Sequence, residues 1–91
     1  MKIVYRTDGI FFYSEDDEIL AEVTFPAINE NTVDINHTYV SEKMRGQGIA
    51  DQLLTMVTDY LRQNHLKAHL SCSYAQKWFS EHPEVLPLKA K

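Results

Sequence analysis

The run Arg45-Gly46-Gln47-Gly48-Ile49-Ala50 joins a strand-like segment to a long amphipathic one, and residue types in that order suit the binding of phosphate. The first turn of a helix leaves its backbone N–H groups without intrahelical acceptors, and the aligned peptide dipoles place partial positive charge there. Gly46 and Gly48 remove the side chains that would hold a pyrophosphate away from the main chain. The turn lacks both the G-x-x-x-x-G-K-[ST] of a nucleoside-triphosphate loop and the G-x-G-x-x-G of a dinucleotide fold. It therefore reads as a pyrophosphate cradle without a dedicated metal site. The competing reading is a bare structural turn, because glycine is also the ordinary solution to a tight connection.

The elements that must position this turn follow from periodicity. Ile3-Val4-Tyr5 and Ile10-Phe11-Phe12-Tyr13 flank Thr7-Asp8-Gly9, which predicts a hairpin. The acidic cluster Glu15-Asp16-Asp17-Glu18 is the next turn. Residues 19–25 read as a third strand ended by Pro26, with Ile19, Ala21, Val23 and Phe25 on one parity. After the Asn29-Glu30-Asn31 reversal, residues 32–40 read as one fourth strand, with Ile35, His37 and Tyr39 on one face and Asn36, Thr38 and Val40 on the other.

From 48 to about 64, Ile49, Leu53, Val57, Tyr60 and Leu61 recur at helical spacing, and Ala50 and Leu54 widen the stripe. Residues 67–72 alternate again, so strand, helix and strand form a crossover whose two strands are expected to be parallel. Ligands of such units sit beyond the C-terminal ends of the strands, where the glycine turn and Cys72 both fall. Residues 74–81 form a short helix stopped by Pro83. The fold class is α+β: a mainly antiparallel, four-stranded N-terminal meander, a crossover helix, a parallel fifth strand and a short C-terminal helix, in one domain over 1–91.

Ninety-one residues with 44% hydrophobic content have room for one core. A formal charge of −4 argues against a general nucleic-acid binder, which relies on clustered Lys and Arg, and favours a cationic partner such as an amine. A lone cysteine, Cys72, forms no internal disulfide, and no secretory leader opens the chain, so a reduced, cytoplasmic protein is expected. No apolar stretch approaches the roughly 20 residues that cross a bilayer. A monomer without membrane or nucleic-acid partners is the expectation.

With Arg45, Gly48 and Ala50 the turn satisfies (Q/R)-x-x-G-x-(G/A), and in this the chain resembles the GNAT superfamily of acetyl-CoA-dependent N-acetyltransferases. The stretch His37-Thr38-Tyr39-Val40-Ser41-Glu42-Lys43-Met44 before the turn, and Ser71-Cys72-Ser73-Tyr74 with Lys77-Trp78-Phe79 after it, look like a minimal, cysteine-containing branch. The resemblance covers residues 34 to about 83. It implies that the amides of Arg45, Gly46, Gln47, Gly48, Ile49 and Ala50 bind the pyrophosphate of coenzyme A. It also implies that the pantetheine arm pairs with Thr38, Tyr39 and Val40 like an added strand, between two splayed parallel strands. Larger members place helices between their first two strands as an acceptor wall, and Thr7-Asp8-Gly9 is too short for that. An open acceptor site follows, for a small amine or for a lysine or N-terminus of another protein. The rival is a non-catalytic acyl-CoA-binding or protein-interaction module.

Acyl transfer from a thioester needs a neutral amine, stabilisation of an oxyanion and a proton for the departing thiolate. Amides of Thr38, Tyr39 and Val40 could polarise the carbonyl. His37 is the one histidine on the strand leading into the turn, and imidazole is the side chain suited to a base near neutral pH. Cys72, at the end of the neighbouring strand, either takes the acetyl group with His37 as activator or only protonates the coenzyme sulfur while His37 deprotonates the acceptor. Tyr74 is placed to reach the thiol or the cofactor, or else anchors a helix. His65, His69 and His82 share no ligand spacing, which argues against zinc. Trp78 and Phe79 belong to the core, and Lys43, Lys77 and the acidic cluster to the solvated surface.

Overall fold

The computed structural model describes residues 1–90. β1 (Lys2–Arg6), β2 (Gly9–Tyr13) and β3 (Ile19–Thr24) form an antiparallel meander in which Tyr5 pairs with Ile10 and Phe12 with Ala21. The alternation of that run sends Ile10, Phe12, Ala21 and Val23 to one face, where all four are fully buried. After Pro26 the chain makes a short hairpin, β4 (Ala27–Asn29) and β5 (Thr32–Ile35), of which sequence periodicity registers the turn and the start of the fourth strand but not β4.

The expected unbroken strand over 32–40 is two strands. β5 pairs in parallel with β7 (Lys67–Leu70), Val33 beside Ala68 and Ile35 beside Leu70. β6 (His37–Val40) instead joins the meander, antiparallel to β3, with Val23 opposite Thr38 and Ala21 opposite Val40. The sheets are thus β1-β2-β3-β6 and β4-β5-β7, and β6 and β7 share no ladder. Asn36 is the branch point: its N–H donates to Thr24 O (3.2 Å), while Ile35 O turns the other way and accepts from the N–H groups of Ser71 (3.1 Å) and Cys72 (3.0 Å).

The break also flips the parity. Val33 and Ile35 are buried before it, and Thr38 and Val40 face the core after it, whereas His37 and Tyr39 are exposed. The expectation that Ile35, His37 and Tyr39 share a face is therefore corrected. An extra residue at a strand break shifts every later side chain to the other side.

α1 (Ile49–Gln63) packs across β3 and β6 of the first sheet. Leu53, Leu54, Val57 and Leu61 lose all exposure, and burial of each contributes about 1.5–3 kcal/mol. The helix ends without glycine: His65 takes φ 55°, so that Leu66 N–H reaches Leu61 O (2.9 Å) and His65 N–H reaches Arg62 O (3.3 Å). α2 (Ser73–Ser80) buries Ala75, Trp78 and Phe79, and a 3-10 helix (Pro83–Leu88) adds Val85 to the core. The alternation of 67–72 stops at Leu70, so Cys72 is the residue that caps α2 and not the last residue of a strand.

Candidate functional site

The chain enters the glycine turn through Ser41, a buried residue whose Oγ accepts from Lys43 N–H (3.3 Å) and so caps the 3-10 turn Glu42–Met44. Arg45 then runs extended, and Gly46 (φ 80°) and Gly48 (φ 72°) both take the left-handed conformation. Only glycine adopts that region without strain. A Cβ at either position would meet nothing within 4 Å, so packing does not demand glycine there, and the backbone faces open space.

Gly48 is the N-cap of α1 and supplies no side-chain cap. The first intrahelical bond is Gln52 N–H to Gly48 O (3.0 Å), which leaves the six amides of residues 46–51 without an acceptor among the described residues. Such a row at a helix N-terminus stays solvated or holds an anion. In front of it lies an open cavity of about 250 Å³. Arg45, Gly46, Gly48, Ile49 and Ala50 line it from the turn, and Val40 and Tyr74 close its sides. Gln47 folds its amide back onto Lys43 O (3.4 Å).

Met44 and Asp51 complete the wall, and sequence reasoning assigns neither to the site. Asp51 stands in the first turn of α1, where acidic residues are ordinary helix formers, so its type raises no signal. Its carboxylate is turned towards α2: Oδ1 accepts from Trp78 Nε1 (2.7 Å) and lies 3.6 Å from His82 Nε2. The His82 ring in turn stacks on Trp78 at 4.0 Å. Trp78 is thus a core residue that also ties the start of α1 to α2. Burial, reinforced by the charges of Asp51 and Glu81, raises the Tyr74 phenol above the usual tyrosine range, so at neutral pH it remains a hydrogen-bond donor at the cavity wall.

β6 forms the second side of the site. Ser41 N–H donates to Leu20 O (2.8 Å), and antiparallel ladders alternate, so in this register the main-chain groups of Tyr39 and His37 face β3. Those of Thr38 and Val40 face outward along the sheet's free edge, towards the gap left where β7 departs. An extended ligand can add to that edge. Of the three expected strand positions, Thr38 and Val40 present free main-chain groups, and Tyr39 does not.

The fork also separates the two candidate catalytic residues. Thr38, not His37, is the β6 neighbour of Cys72: Thr38 Oγ1 lies 3.6 Å from Cys72 Sγ. His37 leaves β6 on the opposite, exposed face. The premise that β6 and β7 lie side by side, with His37 and Cys72 turned to one point, is corrected by the splay of the two sheets. Lys43 is committed elsewhere, since its Nζ donates to both carboxylate oxygens of Glu18 (3.2 and 3.1 Å).

Comparisons with known proteins meet this geometry. A family model described as GCN5-related N-acetyl-transferase matches residues 10–88. Protein NATD1 of Xenopus tropicalis is 40% identical over 63 residues, which are 69% of this chain and 58% of that protein, so the match spans little more than half the length of the relative. Among solved structures, a GCN5-like protein of Staphylococcus aureus superposes with a TM-score of 0.81 at 28% identity, over 98% of this chain and 87% of the other. A GNAT family acetyltransferase of Elizabethkingia anophelis, solved with acetyl-CoA bound, shares the fold: TM-score 0.58 at 24% identity, over 82% of this chain and 52% of the other.

Proposed function

The chain belongs to the GCN5-related N-acetyl-transferase family, and from that premise we propose that it transfers the acetyl group of acetyl-CoA to an amine. The observation that carries this reading is the row of six unpaired amides over residues 46–51, opening on a cavity next to a free strand edge. A pyrophosphate fits that row: the donors are main-chain N–H groups with the helix dipole behind them, and two glycines keep the approach clear. Arg45 adds a formal charge at the rim. The free groups of Thr38 and Val40 offer the pantetheine arm a strand to pair with, which would lead the thioester from the cavity to the fork at Asn36.

At the fork the residues divide the work by face. His37, on the exposed face, takes the proton of an amine arriving there, and the amine nitrogen bonds to the acetyl carbon. Thr38 or Val40 N–H holds the developing oxyanion. Cys72, on the other side, gives its thiol proton to the coenzyme sulfur as the C–S bond breaks. Of the two routes the sequence leaves open, this one needs no contact between His37 and Cys72, whereas acetylation of Cys72 activated by His37 does. Their opposite faces favour protonation of the leaving group. We place the reaction in the cytoplasm, with the whole of 1–91 acting as one domain.

Melting the protein with and without acetyl-CoA tests the premise. A ligand at ~100 times its dissociation constant adds about 2.7 kcal/mol, a shift of several degrees for a chain of this size. No shift would remove the reading. Release of free coenzyme A in the presence of a panel of amines and basic peptides tests the transfer and identifies the acceptor. One observation favours a second reading, a module that binds the acyl-coenzyme without turning it over: β1 and β2 are joined through Thr7 and Asp8 alone, so no acceptor wall stands between them. Binding without coenzyme release would select it.

A further inference from the structure

We propose that Thr38 is a positioning residue for Cys72, its hydroxyl donating a hydrogen bond to Cys72 Sγ once the thiol has surrendered its proton. The inference rests on the transfer reading for its purpose, but its geometry stands independently. Thr38 Oγ1 and Cys72 Sγ are 3.6 Å apart, within reach of a hydrogen bond to sulfur, and both residues are half-buried. They are 34 positions apart in the chain, so tertiary structure has to hold this contact on both sides.

It does so with redundant bonds. On the Cys72 side, Ser71 and Cys72 N–H both donate to Ile35 O, Ser71 Oγ donates to Asp34 Oδ1 (2.7 Å), and Cys72 O accepts Gln76 N–H (3.0 Å). On the Thr38 side, the residue lies in register with Val23 in the middle of the β3–β6 ladder. Threonine is branched at Cβ and stiff about χ1, so a fixed backbone fixes the hydroxyl. Valine at the same point would fill the space equally well, which leaves packing alone without a reason for the hydroxyl.

In the transfer step the Cys72 S–H bond breaks and the proton passes to the coenzyme sulfur, leaving a thiolate in a half-buried site. The Thr38 O–H stabilises that anion until the proton taken up by His37 returns to Cys72 through solvent. The amine has then lost one proton, the coenzyme has gained one, and the protein is unchanged.

Cys72 is the sole cysteine, so alkylation by iodoacetamide followed by mass spectrometry reads this thiol alone and needs no acetyl-CoA. The thiolate is the species alkylated. Losing a charge-assisted hydrogen bond lowers the thiolate fraction, and the higher nucleophilicity of the more basic sulfur offsets part of this. Thr38→Val should therefore shift the alkylation profile to higher pH, slow alkylation at neutral pH about threefold, and be no slower than the parent in strong alkali, where every thiol is ionised. Thr38→Ser, which keeps the hydroxyl, should stay within about twofold of the unsubstituted protein. Equal pH profiles for Thr38→Val and the parent, or a Thr38→Ser as slow as Thr38→Val, would overturn the proposal. A purely structural contact would move the melting temperature and leave the pH profile in place. Because the readout is alkylation, a protein that fails to release coenzyme A refutes the transfer reading while the Thr38 result is still decided.

Discussion

Two turns of this chain handle their main-chain amides in opposite ways. At residues 14–18 four of the five amides find a partner within the turn: Ser14 N–H donates to Glu18 O (2.8 Å), Asp17 N–H to Ser14 O (3.0 Å), and the Ser14 hydroxyl accepts from Asp16 (3.2 Å) and Glu18 (3.1 Å). Three of its four carboxylates also meet cations, Glu15 the N-terminal ammonium, Asp17 Lys2 and Glu18 Lys43. At residues 46–51 six successive amides find no partner among the described residues, no side chain caps the helix, and both glycines face open space. Asp17 takes φ 64° where the first turn closes on itself, whereas the second leaves its amides to solvent or to an anion, as a helix N-terminus does. The first turn is closed on itself, and the second lies open to the anion proposed above.

The sharpest way to break this contrast is Gly48→Glu. The new carboxylate would sit where the anion is expected, on a backbone that glycine alone tolerates, and acetyl-CoA affinity measured by calorimetry should fall at least a hundredfold. Retained affinity would mean that the open turn holds no phosphate. Next in size, Cys72→Ala should leave that affinity within about twofold and lower coenzyme release on the order of a hundredfold, the usual contribution of a positioned acid. If turnover survives, Cys72 returns to the core.

The closed turn should respond in the reverse sense. Ser14→Ala strips the acceptor of two amides and should cost about 1 kcal/mol, or about 4–8 °C in melting temperature, without touching coenzyme affinity. Smallest are the pH effects, which should appear at opposite ends of the scale. The N-terminal ammonium beside Glu15 holds its carboxyl below the usual range, so that stability is present above the ordinary glutamate value and drains away as pH falls through the lowered one. Tyr74, raised by burial, contributes below the ordinary tyrosine value, and its contribution is lost as pH climbs from about 10 upward. Melting scans of Glu15→Gln at acid pH and Tyr74→Phe at alkaline pH should each flatten one limb and leave the other unchanged.

Local sequence carries much of this architecture. The hairpin of β1 and β2, the helix from Ile49, the strand at Lys67 and the stop before Pro83 all follow from local periodicity and turn chemistry, and each stands within a residue or two of its expected place. The break at Asn36 is not legible in the same way. Residues 32–40 alternate without interruption, and the cue that is present, apolar Val33 and Ile35 on one parity and apolar Val40 on the other, is too short to separate from noise. The break exists because Thr24 and Ser71 draw the main chain on its two sides towards different sheets, and neither lies nearby in sequence.

The amino-acid order by itself determined the glycine turn, the helix it opens and the family the chain resembles, because left-handed backbone, helix termini and hydrophobic stripes are specified within a few residues of one another. Tertiary structure decided which amides stay free, that His37 and Cys72 occupy opposite faces, and that Thr38 is the residue beside the thiol. Those outcomes depend on which strand pairs with which across a long separation in sequence, and pairing is set by the burial of whole faces, a quantity that no short run of residues contains.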